Sequence, residues 1–98
     1  MSGTVPEVWV EAGGGHDLIR ADSIVMLRLD ETGRLTAQLR DDAKVSVTLL
    51  EGSSGVRPPG DFHRQLIRAV AELADSSAAH LVRARHEGGV WRWISEAL

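Results

Sequence analysis

Residues 24–50 read IVMLRLDETGRLTAQLRDDAKVSVTLL, and this stretch decides the fold. Its apolar residues recur at every second position: Val25, Leu27 and Leu29, then Leu35, Ala37 and Leu39, then Val45, Val47 and Leu49. A period of two puts alternate side chains on opposite faces of an extended strand, so the stretch predicts three strands sharing one buried face. Turn chemistry supplies the register. Glu31-Thr32-Gly33 suits a three-residue hairpin loop with Gly33 in the left-handed conformation. That loop sets Leu29 opposite Leu35, Leu27 opposite Ala37 and Val25 opposite Leu39. A two-residue loop sets Leu29 against Thr36 and turns every side chain to the wrong face. The same test selects Asp41-Asp42-Ala43 for the next hairpin, with Leu39 facing Val45, Ala37 facing Val47 and Leu35 facing Leu49. Arg28, Thr36, Gln38, Arg40, Lys44, Ser46 and Thr48 form the wet face.

On the N-terminal side, Glu7 to Glu11 is a short strand with Val8 and Val10 on one face and Trp9 on the other. Gly13-Gly14-Gly15 permits a reversal, after which Leu18 to Arg20 returns antiparallel. Ala21-Asp22-Ser23 is a bend that the Asp22 side chain is expected to close by bonding its own backbone two residues on.

On the C-terminal side, glycine, serine and proline crowd residues 51–60, which read as a loop. From Phe62 the period changes to the helical one: Phe62, Leu66, Ala69, Val70 and Leu73 make one apolar stripe, with Asp61 as the expected N-cap and Asp75-Ser76-Ser77 as the end. Alternation then resumes over two strands joined at Gly88-Gly89, a pair suited to a type I′ turn. That turn puts Val82, Ala84, His86, Trp91 and Trp93 on one face and Arg83, Arg85, Val90, Arg92 and Ile94 on the other. A three-residue loop beginning at Glu87 instead stacks Arg83 on Trp93 and Arg85 on Trp91; the first register is preferred because it buries two tryptophans together. The expected architecture is α+β: an antiparallel β-meander sheet of five to six strands with one helix packed on its Leu-rich face.

With 98 residues, the chain is expected to form a single domain over residues 1–98, with residues 1–6 flexible. It contains no cysteine, which removes disulfides and thiolate chemistry and suits a cytoplasmic setting. Its N-terminus has no basic stretch followed by an apolar run, and no segment approaches the ~18 apolar residues of a membrane span. A net charge of −3 gives no global attraction to nucleic acid or an anionic membrane.

Motifs for chemistry are sparse. Gly52-Ser53-Ser54-Gly55 lacks the Gly-Lys-Ser/Thr ending of a phosphate loop, and Gly13-Gly14-Gly15 lacks dinucleotide-binding spacing and opens no helix. Ser53, Ser54, Asp61 and His63 supply the types of a catalytic triad without its signature, so a small enzyme with a site near the 51–63 loop is the third reading. His80 and His86 share a strand face about 20 Å apart at ~3.3 Å per residue, too far for one metal ion. No catalytic residue, metal site or cofactor is therefore assigned. Arg83, Arg85 and Arg92 form the candidate nucleic-acid surface, the second reading, against the ordinary use of arginine to keep a sheet face soluble.

The leading reading is a non-enzymatic protein-interaction or regulatory module. Ile24 and Met26 fall on the otherwise polar face of the meander, where Trp9 joins them if the first strand packs alongside. An apolar group of this kind calls for a cover, and the expected cover is a protein partner or a second copy in a homodimer, with the 52–60 loop as the competing one.

Overall fold

The alternating pattern of residues 7–12 makes β1 (Glu7–Ala12), whose Val8, Val10 and Ala12 are buried in the computed structural model. The structure describes residues 7–51, 57–76 and 78–98, without the side chains of 13 and 42–45. Expectations that fall on residues 1–6 and on Ser53 and Ser54 lie outside them. Gly14 and Gly15 take φ values of 70° and 98°, which turn the chain back so that β2 (Asp17–Arg20) pairs antiparallel with β1, Ala12 facing Asp17. A short 3-10 turn, Ala21–Ser23, then ends this pairing. Its geometry is held by the Ser23 hydroxyl, which donates to the Arg20 carbonyl at 2.7 Å, and not by Asp22, whose carboxylate meets the Arg20 guanidinium.

Three strands follow: β3 (Ile24–Leu29), β4 (Leu35–Leu39) and β5 (Asp42–Leu50). The β3–β4 loop matches its expected chemistry. Gly33 has φ of 87°, and its N–H donates to the Asp30 carbonyl at 3.1 Å. One Asp30 carboxylate oxygen accepts from the Thr32 hydroxyl and from the N–H groups of Thr32 and Arg34. These bonds hold the Asp30 carboxyl below its ordinary value, the Thr32 hydroxyl contributing most. Leu29–Leu35 and Leu27–Ala37 pair as the turn requires.

Beyond Leu27 the register departs from expectation. A bulge between Ile24 and Met26 makes Ile24, not Val25, the partner of Leu39. One extra residue in a strand reverses the faces that follow it, so Ile24 packs on the core and Val25 turns outward. The β4–β5 turn also tightens: Leu39 pairs with Asp42, not Val45, and Leu35 with Leu50, not Leu49, while Ala37–Val47 holds. Shifts on both sides of that central pair absorb the difference.

The single meander is replaced by two sheets. One has the order β3-β4-β5; the other has the order β2-β1-β6-β7, with β6 (Ala79–Glu87) parallel to β1 and antiparallel to β7 (Val90–Ala97). Seven strands among the described residues thus surround one core, within the expected α+β class. The 3-10 turn disengages β3 from β2, which is left as an edge strand, and β1 takes β6 on its other side. A parallel neighbour requires a long crossover, here all of β3 to α1, and such a pairing leaves no local trace in the sequence.

The helix α1 (Phe62–Glu72) buries Phe62 and Leu66. Ala69, Val70 and Leu73 pack on the core at its side, as the stripe predicts. It does not lie on the meander alone. The Phe62 ring stacks on Trp93 of β7 at 4.6 Å and meets Trp91 edge-on at 6.5 Å, so the helix start is fastened to the other sheet. Trp93 Nε1 donates to the Phe62 carbonyl at 2.8 Å. Contrary to expectation, the Asp61 side chain does not cap the helix: its carboxylate accepts from Gln65 Nε2 at 2.9 Å, while its carbonyl accepts from the N–H groups of Arg64 and Gln65.

Gly88 and Gly89 have φ of 60° and 78°, and Glu87–Val90, Arg85–Arg92 and Arg83–Ile94 pair in the predicted register. Val82 is buried and both tryptophans pack on the core. No helix among the described residues is long and apolar enough to cross a membrane.

Candidate functional site

The bulge in β3 and the outward-turned part of α1 together make an apolar cleft. Among the described residues strand β3 is the edge of its sheet and pairs only with β4. Helix α1 lies beside it, and a cleft of about 260 Å³ opens between Ile24–Leu27 on the strand and Leu66, Ile67 and Val70 on the helix, floored by Val10 and Ala21. Three large apolar side chains of this lining stand in solvent: Val25 at 55%, Met26 at 41% and Ile67 at 60% exposure. A second hollow, sharing Ala21 and Val70, continues past Val8, Ala71 and Ala74 and ends at Arg20 and Asp22. The result is a narrow apolar groove along the helix with an ionic end.

Of the expected partner-binding residues, the structure brings Ile24 and Met26 to this groove and leaves Trp9 out. Ile24 lines it from within, because the bulge turns it toward the core, and Met26 remains outward. Trp9 alternates with buried Val8 and Val10, so it lies on the opposite face of its sheet, with the Arg20 guanidinium carbon 5.6 Å from its ring centre. Val25 and Ile67 were not singled out by sequence. Val25 belongs by alternation to the core, and only the bulge exposes it; Ile67 had a visible signal, being an isoleucine beside the apolar stripe and not on it. The expected competing cover is partly located: Arg57 and Pro58 lie against Gly33, at the far end of β3 from Ile24.

Arg83, Arg85 and Arg92 share the outer face of the four-stranded sheet, as the hairpin register predicts. That face also carries acids. Arg83 is 3.1 Å from a Glu96 oxygen, Arg85 is 3.5 Å from Glu87, and Arg20 is 3.8 Å from Glu7. These acids, on the same or a neighbouring strand, reduce the positive field that phosphates require, and of the three expected arginines Arg83 and Arg85 are so paired.

The residues suggested for a small enzyme are not assembled. Asp61 is engaged with Gln65, and His63 keeps a buried Nδ1 without a hydrogen-bond partner among the described residues. His80 Nδ1 is 3.1 Å from the Ala78 carbonyl and 3.4 Å from the Ser76 hydroxyl, while the His86 ring rests 4.9 Å from Trp91. Among the described residues no group of three or more histidine or acidic side chains is arranged to hold a metal ion. Comparison with protein-family models, with curated proteins and with solved structures finds no match to this chain.

Proposed function

We propose that the protein is a small non-enzymatic interaction module that takes an extended apolar segment of a partner protein into the groove between β3 and α1. The observation that carries this reading is the exposure of Val25, Met26 and Ile67 around a cleft beside an edge strand. Unpaired backbone groups on β3 offer hydrogen bonds to an added strand, and the apolar walls select its side chains. The cytoplasmic setting expected from the cysteine-free sequence forms part of this proposal.

Selection of extended peptides from a random library against the wild-type chain and against Ile67→Asp tests it. Peptides that bind the first and not the second, with hydrophobic residues at alternate positions, support the groove. Enrichment that ignores Ile67→Asp and Met26→Asp removes it. The acids beside Arg83 and Arg85 make nucleic acid the weaker reading. A salt-dependent gel shift abolished by replacing Arg83, Arg85 and Arg92 together would reverse that order.

A further inference from the structure

We propose that two copies of this chain join through the free edge of β7, in antiparallel register about a two-fold axis at Ile94, extending the four-stranded sheet across the dimer. This inference does not depend on the β3–α1 groove. Strand β7 is the last of its sheet and pairs without a bulge from Val90 to Ala97.

The hairpin decides which of its backbone groups are free. Residues flanking a two-residue turn exchange both hydrogen bonds, so Val90, and with it Arg92, Ile94 and Glu96, direct N–H and C=O toward β6. The bond from Leu98 N–H to the Ala79 carbonyl at 2.9 Å continues this phase. Trp93, Ser95 and Ala97 therefore direct theirs to the open edge, where no bond to another described segment is found.

Side-chain charge then selects the register. Val90, Arg92, Ile94, Glu96 and Leu98 all stand on the outer face. With the axis at Ile94, Arg92 faces Glu96 of the second copy and Val90 faces its Leu98. Val90 and Leu98 are 49% and 65% exposed in the single chain. Moving the axis to Arg92 or to Glu96 sets like charges on each other, and placing it at Trp93 or Ser95 sets Arg92 against an apolar residue. Within one chain Arg92 lies directly across from Arg85, an unfavourable pair, and among the described residues it is in none of the ion pairs. The Glu96 carboxylate of the second copy, which has one oxygen 3.1 Å from Arg83 of its own chain, relieves that repulsion. These contacts fall in non-hydrogen-bonded pairs, where facing side chains approach most closely.

Sedimentation equilibrium across micromolar concentrations tests the assembly. The expected result is a mass approaching twice the 10.6 kDa of one chain. Ser95→Pro removes an edge N–H that the β6–β7 ladder does not use, so it should give a monomer with an unchanged circular dichroism spectrum. Arg92→Glu, on the exposed face, should weaken association by about tenfold or more, and the double variant Arg92→Glu with Glu96→Arg should recover part of it. A wild-type chain that stays monomeric overturns the proposal. So does a dimer that survives both Ser95→Pro and Arg92→Glu; if that dimer is lost on Met26→Asp, the β3–α1 groove is the self-interface instead.

Discussion

Two of the four edge strands, β3 and β7, pose the same problem, a row of unpaired backbone groups, and meet it differently. Edge strand β3 is interrupted at Val25, so its ladder is broken and its exposed side chains face a helix across a groove. By contrast β7 runs regularly along β6, with opposite charges spaced four residues apart on one face. A bulge at one end of an edge shortens the run along which a second β3 could pair and re-aims a side chain into a groove wall, so a short extended segment gripped by its side chains still fits; a regular edge with charges at fixed spacing accepts a full strand in one register. The first suits a partner of another kind, the second a copy of itself.

Phe62 fastens the helix to the β7 side through Trp93, so its removal should have the largest effect. Phe62→Ala is expected to cost about 3–5 kcal/mol in urea unfolding and to change the near-ultraviolet tryptophan signal. A loss below ~1 kcal/mol would mean that the stack does not support β7. Gly33→Ala acts on the other side. It forces a residue with a Cβ to φ of 87° with Pro Cδ 3.1 Å away, and about 1–2 kcal/mol should be lost. Unchanged stability would show that the turn relaxes freely.

Deleting Val25 would give β3 the regularity of β7. Ile24–Leu39 and Met26–Gln38 then become successive pairs, so the fold should persist while association rises with concentration. Unaltered association would break the contrast between the edges. Asp30 gives a smaller, pH-dependent effect at the β3–β4 turn. Its folded carboxyl is depressed, so the stabilisation is present above the ordinary value of 3.8 and is lost as pH falls through the lower folded value. Asp30→Asn should flatten that acid limb in thermal melts, and an unchanged limb would assign it to other carboxylates. Smallest of all, Ile67→Ser should leave stability within about 0.5 kcal/mol while removing peptide binding, because the side chain is exposed.

Local chemistry made much of this legible. Gly33 and Gly88-Gly89 adopt the positive φ values their turns demand, and the registers Leu27–Ala37 and Ala84–Trp93 follow from them. The helical stripe and the placement of both tryptophans on the core follow from periodicity, and the arginine face from alternation. Of the groove, alternation singles out Ile24 and Met26 but places Ile24 on the outer face, and it passes over Val25 and Ile67, since a bulge is a competition between ladders and alternation cannot register it.

What the amino-acid sequence determined by itself was therefore each element and the turns at Gly33 and Gly88-Gly89, where a few adjacent dihedrals and the period of two or 3.6 decide the outcome. What the tertiary structure alone decided was the division into two sheets, the parallel β1–β6 pair, the anchoring of α1 on Trp93 and the exposure of Val25. All four depend on contacts between residues far apart in the chain, whose energies come from shared burial and appear only once the partners have met.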